Sequence, residues 1–282
     1  MNPLALVIGS YRAEWLKLTR RPAIWILGIL LCVGILTLGY ILIGVAIVVI
    51  ERSATSADQA VPGGASQSLR AGLLPGVMVS QVIPLLSTLG GPIGLILGAL
   101  TIGGEYSWGT LKTILTQRPG RLALTGGKLL ALAPILLIFS GGALLLGLLG
   151  SLIAVALQGA ALTPPSALDL VKGLGAGWLI LAVWTLFGVT LATVLRSSAL
   201  AIGLGLIYSL VLESVVSGVA FFVEQAAQVR NALLGANASA LANYFGGDGS
   251  TIPPERATLI IFVYLAIFTA ITALVIRVRD VT

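Results

Sequence analysis

The chain has 282 residues, of which 57% are apolar and 9% are charged, and its formal net charge is +6. An ordinary soluble protein carries about 25% charged residues, so this composition excludes a water-soluble fold and predicts an all-α integral membrane protein. Because histidine is absent and cysteine occurs once, the sequence predicts no metal site, no catalytic residues and no intrachain disulfide.

The first predicted element is an amphipathic helix within residues 1–22. Apolar side chains recur at intervals of three and four residues on one face of residues 3–19: Leu4, Ile8, Tyr11, Trp15 and Leu18. We expect this N-terminal helix to lie on the membrane surface, before Pro22 bends the chain into the membrane. The alternative is a plain anchor that only fixes the depth of the chain.

Six segments are long and apolar enough to cross the membrane, since a spanning helix needs about 20 apolar residues. They are residues 24–49, 77–102, 129–157, 174–195, 199–219 and 259–276. They predict a single transmembrane domain over residues 1–282. In the second segment, Gly90, Gly94 and Gly98 stand four residues apart, which lets helix backbones approach closely. We expect this face to pack on another helix, of the same chain or of a second copy.

The distribution of charge predicts the orientation. Six spans place residues 1–23, 103–128, 196–198 and 277–282 on one side, which we call the basic side. It carries eleven basic and three acidic residues, whereas the opposite side carries five basic and six acidic residues. The positive-inside rule therefore predicts that both termini lie in the cytoplasm. Anionic lipid headgroups account for such a basic surface, and no nucleic-acid partner is predicted.

The segment 103–121, between the second and third predicted spans, has the pattern of a short amphipathic helix. Glu105 lies near its start, where a negative charge suits the helix dipole. Leu111, Ile114 and Leu115 give the helix an apolar side, and Pro119-Gly120 ends it. An apolar helix face outside the membrane needs a partner, which is either the headgroup layer or another protein.

The segment 217–256, before the last span, is long for a connection. Its mixture of aromatic, apolar and small residues predicts short helices that return into the outer leaflet, because irregular backbone at that depth has to be buried by protein or wetted by a cavity. Asn237-Ala-Ser formally matches a glycosylation acceptor. Glu213 lies near the outer end of the fifth predicted span. The sequence allows its carboxylate to contact water, a helix end or a substrate.

The residues of these segments resemble a known family. The order Glu105…Gly109-Thr110-Leu111-Lys112…Leu115-Thr116…Pro119…Arg121…Lys128 resembles the first cytoplasmic loop of ABC-2-type permeases, the membrane subunits of ABC transporters. Glu14-Trp15-Leu16-Lys17-Leu18, followed by Arg20-Arg21-Pro22, is similar to the elbow helix of that family. Val211-Leu212-Glu213-Ser214 resembles a segment of the fifth span that carries a glutamate, with Ser214 in place of the usual proline.

The resemblance implies roles for these residues. It implies that segment 103–121 forms a coupling helix that docks into a groove of an ATPase subunit, through Glu105, Tyr106, Gly109, Thr110, Leu111, Lys112, Ile114, Leu115, Arg118 and Arg121. It implies that the N-terminal helix also touches the ATPase, through Tyr11, Glu14, Trp15, Lys17 and Leu18. It assigns Glu213 to an outer gate or substrate region.

The implied protein is the permease subunit of a bacterial exporter in the plasma membrane, paired with a second permease protomer and surrounded by lipid. The sequence closest to a phosphate loop, Thr125-Gly-Gly-Lys-Leu129, lacks the required serine or threonine and the first glycine. We therefore expect the chain to bind no cofactor and to have no enzymatic activity, with ATP and magnesium held by a separate ATPase. The apolar spans favour an amphiphilic cargo, such as a drug, a peptide or a glycolipid.

Other functional classes are possible for a six-span chain. A scaffold or immunity protein that kept the permease fold would show the same pattern without transport. An ion-coupled secondary transporter needs buried ionisable groups, and an intramembrane enzyme needs a cluster of them at one depth. The sequence places only Glu213 inside a predicted span, so it favours neither of these two.

Overall fold

The computed structural model describes residues 3–56, 64–107, 121–220, 222–246 and 252–278. Within these ranges the regular structure is entirely helical. In the described part of the chain, six helices are long and apolar enough to cross a membrane, and we call them the first to sixth spans: Pro22–Ser53, Pro75–Glu105, Ala123–Gln158, Ala167–Leu195, Ser198–Val219 and Pro254–Val278. They confirm the predicted fold class. Each extends beyond its predicted segment at one or both ends, because a helix need not stop where the hydrocarbon does.

The helix boundaries are as follows. The N-terminal helix is Pro3–Thr19. The helix that contains the first span consists of Pro22–Leu36, a π-helical turn at Thr37–Ile41, and Leu42–Ser56. Gly64–Gly72 and the 3₁₀ turn Pro75–Val77 lead into Met78–Ser107, and Arg121–Gln158 and Ala167–Leu195 follow. The fifth span consists of Ser198–Leu206, a π-helical turn at Ile207–Leu212, and Glu213–Val219, and the last three helices are Glu224–Ala232, Leu234–Asn243 and Pro254–Val278.

The second and fourth spans form the centre of the bundle, in very close contact. A Cβ atom added at Gly98 would collide with the backbone carbonyl of Thr185, and one added at Gly188 would collide with the carbonyl of Leu95. Added Cβ atoms at Gly90 and Gly94 would also meet the fourth span. The glycine spacing therefore packs two helices of the same chain together, which is the first of the two alternatives left open by the sequence.

Between the fifth and sixth spans the described residues form two short helices, and the second of them packs into the bundle. Leu234–Asn243 packs against the second and sixth spans, and most of its residues are buried. Asn237 is completely buried, and its side-chain amide donates to the carbonyls of Asn231 and Leu233 at 3.0 and 2.7 Å. A glycan cannot be attached to a side chain in this position, so the acceptor motif at Asn237 has no structural support.

Candidate functional site

The N-terminal helix packs on the beginning of the third span. Leu18 is completely buried, and Tyr11 and Trp15 stack with ring centroids 6.4 Å apart against the main core. A Cβ atom added at Gly127 would collide with the side chain of Ser10, so the absence of a side chain at Gly127 lets the two helices approach. Part of the apolar face predicted from the sequence thus packs against the rest of the protein. Its position relative to the membrane surface stays a prediction.

Four charged side chains meet where this helix contacts the bundle. The Lys128 ammonium lies 3.0 Å from a carboxylate oxygen of Glu14 and 2.7 Å from one of Glu105. Lys17 pairs directly with the same Glu105 oxygen and lies 3.7 Å from the other oxygen of Glu14. We call Glu14, Lys17, Glu105 and Lys128 the ionic cluster. Every cation in it contacts both anions.

Burial makes the ionic cluster energetically important. The side chains of Glu105, Lys128 and Glu14 are 1%, 3% and 5% exposed, and Lys17 is the most accessible member at 31%. An isolated charge in such a place carries a large desolvation penalty, which only close pairing offsets. The two positive and two negative groups balance. Removing any one of them therefore leaves the charges of the ionic cluster unbalanced.

The ionic cluster joins three segments that are distant in sequence. Glu14 and Lys17 belong to the N-terminal helix, Glu105 ends the second span, and Lys128 lies in the first turns of the third span. The guanidinium of Arg21 adds a longer contact of 3.5 Å to the carbonyl of Leu100. The two spans that meet here are those that border segment 108–120. Charge pairs therefore join the N-terminal helix to the ends of both spans.

The predicted ATPase-coupling residues are only partly described. Glu105 lies in the ionic cluster together with Glu14 and Lys17 of the N-terminal helix. The backbone of Tyr106 continues the helix beyond the end of the second span, and that of Arg121 begins the helix that contains the third span. The remaining residues lie outside the described part of the chain, and their role stays a prediction: Gly109, Thr110, Leu111, Lys112, Ile114, Leu115 and Arg118.

Lys128 was not among the residues assigned to a site from the sequence. It follows Gly126-Gly127 and stands immediately before an apolar run, a position in which lysines commonly mark the edge of a membrane span. The sequence does contain a signal for a partner, because Lys128 opens the third span on the same side on which Glu105 closes the second. The sequence therefore indicates that Lys128 and Glu105 lie on the same side of the membrane, but it does not indicate that they form an ion pair.

Glu213 contacts the N-terminus of a helix. The backbone N–H of Gly235 donates to a Glu213 carboxylate oxygen at 2.7 Å, and that of Leu234 donates to the Tyr208 hydroxyl at 3.4 Å. These two N–H groups belong to the first turn of Leu234–Asn243, where the helix leaves its amides unpaired and favours a negative charge. The π-helical turn Ile207–Leu212 immediately precedes Glu213. Glu213 therefore fixes the helix Leu234–Asn243 to the fifth span.

A polar cavity lies beside Glu213. Its volume is about 520 Å³, and its lining includes Ser209, Ser214, Ser217 and Arg230. The predicted role of Glu213 in an outer gate or substrate region stays a prediction, and this cavity is where a substrate would reach the carboxylate.

Replacement of Glu213 by alanine is expected to loosen the helix Leu234–Asn243. A lost helix cap costs about 0.5–2 kcal/mol, so amide exchange over residues 234–243 should accelerate about two- to thirtyfold, which hydrogen exchange with mass spectrometry measures. Glu213→Gln keeps an acceptor oxygen and should have a smaller effect, and Glu255→Ala is the control at an exposed acidic residue. Unchanged protection in Glu213→Ala would contradict the capping role.

A family model gives an independent comparison. The model described as ABC-2 family transporter protein matches residues 11–212 of the chain. The match begins inside the N-terminal helix, includes all four residues of the ionic cluster, and ends one residue before Glu213. No curated protein matches the chain.

Proposed function

The chain belongs to the ABC-2 transporter family, and we propose that it is the permease subunit of an ATP-driven exporter that works with a separate ATPase. The observation that carries this proposal is the ionic cluster, because it links the N-terminal helix to both spans that border segment 108–120. ATP and magnesium would be held by the ATPase. The present chain would convert closure of the ATPase into movement of its spans.

The ionic cluster supports a specific route for this movement. In the proposal, the ATPase pushes on segment 108–120 and on the N-terminal helix. Because Lys128 bonds to Glu14 and Glu105 at the same time, the ends of the second and third spans and the N-terminal helix would move as one body. The second span is in backbone contact with the fourth, so the displacement would be passed to the centre of the bundle.

A second permease protomer is part of the proposal, and the fifth span offers the surface for it. This span is mostly exposed, with Leu200, Leu204, Ile207 and Val211 forming an apolar stripe at intervals of three and four residues. Lipid alone can cover such a stripe. Two copies facing each other across it would form a path at their interface, and the polar cavity beside Glu213 would lie near its outer end.

The proposed setting is the plasma membrane of a bacterium, with both termini in the cytoplasm. The excess of basic residues on the basic side supports that orientation. The proposed cargo is an amphiphilic or lipid-like molecule, such as a drug, a peptide or a glycolipid, because the surfaces that the spans expose are apolar. The alternative is a scaffold or immunity protein of the same fold, in which the ionic cluster would be a static brace.

Association with an ATPase tests the proposal. The double variant Leu111→Asp, Leu115→Asp is expected to lose an ABC ATPase encoded beside this chain that co-purifies with the wild type. Each leucine buried at an interface contributes about 1.5–3 kcal/mol, or roughly tenfold to a hundredfold in affinity. Thr113→Asp is the matched control, since Thr113 lies outside the predicted apolar face. Binding that survives in the double variant would remove segment 103–121 as the coupling element.

A further inference from the structure

An apolar groove separates the first and third spans at the end of the bundle opposite the basic side, and we call it the lateral groove. Its volume is about 810 Å³. Val45 and Val49 form one wall, and Ile153 and Leu157 form the other. These four side chains are 54%, 56%, 58% and 83% exposed, so the groove opens sideways, toward the hydrocarbon of the membrane.

The depth of the lateral groove corresponds to one leaflet. Along the first span its lining runs from Leu36 to Arg52, which is about 24 Å at 1.5 Å per residue. Half of the hydrocarbon core is about 15 Å thick, so the groove accommodates an extended acyl chain together with the glycerol region above it. The π-helical turn Thr37–Ile41 lies at the inner end, and such turns frequently occur at ligand sites.

The outer end of the lateral groove is positively charged. Arg52 and Arg70 line it, and Gln158 completes the polar rim. Glu51 accepts two hydrogen bonds from Arg70, at 3.0 and 2.7 Å. The pair is exposed, with side chains 39% and 44% accessible. Because exposed ion pairs contribute little free energy, a competing anion can displace Glu51 from Arg70 at low cost. Among the described residues at this end, Glu51, Arg52 and Arg70 together carry one net positive charge, and guanidinium groups bind phosphate in bidentate geometry.

A second apolar groove provides a contrast within the same chain. It has a volume of about 730 Å³ and is lined by Leu179, Leu259 and Phe262. The charged residues in its lining, Lys172 and Glu255, cancel each other. Both grooves suit acyl chains by shape and polarity. The described residues give only the lateral groove an excess of positive charge.

We propose that the lateral groove binds one anionic phospholipid of the outer leaflet. An acyl chain lies between the first and third spans, and the phosphate lies between Arg52 and Arg70. This inference concerns a site remote from the ionic cluster and does not depend on an ATPase partner.

Gly44 allows the lateral groove to be filled without disturbing the fold. Gly44 lines the groove, and an added Cβ atom there would meet nothing within 4 Å. Gly175 has the same property in the second groove. Gly44→Phe therefore places a ring in the acyl-chain site, and Gly175→Phe is its matched control. Arg52→Ala, Arg70→Ala removes the charged rim, with Arg256→Ala as the control at an exposed arginine.

Native mass spectrometry of the purified full chain tests the proposal, with phosphatidylglycerol and phosphatidylethanolamine of identical acyl chains as the probes. The wild type is expected to retain one phosphatidylglycerol in preference to phosphatidylethanolamine. Gly44→Phe should weaken its retention about tenfold or more, because the ring occupies the acyl-chain site. The double arginine variant should abolish the preference, because both lipids carry a phosphate and the two guanidinium groups repel only the ammonium of phosphatidylethanolamine. Both control variants should behave as the wild type.

Three results would overturn the proposal. Equal retention of phosphatidylglycerol by Gly44→Phe and wild type would place the lipid elsewhere. Equal retention of the two lipids by wild type would deny the role of the arginines. If Gly44→Phe converts a dimer to a monomer in the same spectra and leaves the bound lipid unchanged, the groove belongs to an interface with a second copy. Thermal unfolding of each variant identifies any that fail to fold. If Gly44→Phe fails to fold, the lipid preference of the double arginine variant, whose substitutions lie at the rim of the groove, decides the question.

Discussion

Replacing Lys128 by alanine is expected to lower the free energy of unfolding by about 3–5 kcal/mol, the cost of removing one partner from a buried ion pair. Lys128 is 3% exposed and pairs with both Glu14 and Glu105. Its loss leaves two buried carboxylates with Lys17 as their cation in the ionic cluster. Unfolding by SDS in mixed micelles, followed by tryptophan fluorescence, measures the change.

A second substitution separates charge imbalance from lost packing. Glu105→Gln in the Lys128→Ala background leaves Glu14 and Lys17 as a balanced pair. The double variant should therefore be less destabilised than the sum of the single variants, with a coupling energy of about 0.5–3 kcal/mol. A cost below about 1 kcal/mol for Lys128→Ala, or strict additivity, would show that the ionic cluster is not a tightly paired unit.

Replacing Gly98 by leucine is expected to prevent the bundle from forming. The added Cβ atom would collide with the Thr185 carbonyl, which is backbone and has little freedom to move. Ordinary overpacking costs about 1–3 kcal/mol, and a collision with backbone should exceed that range. Size-exclusion chromatography of a fluorescent fusion should show aggregate in place of a monodisperse peak.

The control for this variant is another glycine in a span. Gly203→Leu adds the same side chain in the fifth span, where a Cβ atom meets nothing within 4 Å. It should fold as the wild type does. A monodisperse Gly98→Leu protein with unchanged thermal stability would contradict the close contact between the second and fourth spans.

The helix count was accessible from the sequence because the membrane imposes it locally. A span has to be apolar over about 20 residues and has to satisfy its own backbone, whatever surrounds it. The spacing of Gly90, Gly94 and Gly98 likewise indicates a close helix contact, because each glycine leaves the space of a side chain. The sequence could not predict which helix packs on these glycines, since a helix of the same chain and a helix of a second copy require the same pattern.

The ionic cluster was less accessible because its contacts are long-range. Glu14 and Lys128 are 114 residues apart, and Glu105 and Lys128 are 23 apart. The apolar face of the N-terminal helix was equally ambiguous, since lipid and protein select the same periodicity. The π-helical turns at Thr37–Ile41 and Ile207–Leu212 have no signature in helical periodicity. For Glu213, proximity to the outer end of a span followed from counting, whereas its helix-capping contact required the fold.

The most direct test of transmission through the ionic cluster is the ATP hydrolysis rate of the ATPase in complex with the chain in lipid nanodiscs. It compares wild type with the charge-balanced variant Glu105→Gln, Lys128→Gln. We expect the variant to bind the ATPase but to stimulate its ATP hydrolysis about five- to 150-fold less than the wild type does, which is the usual range of coupling between two sites. Equal stimulation by both chains would contradict the account, and so would a wild-type chain that binds no ATPase.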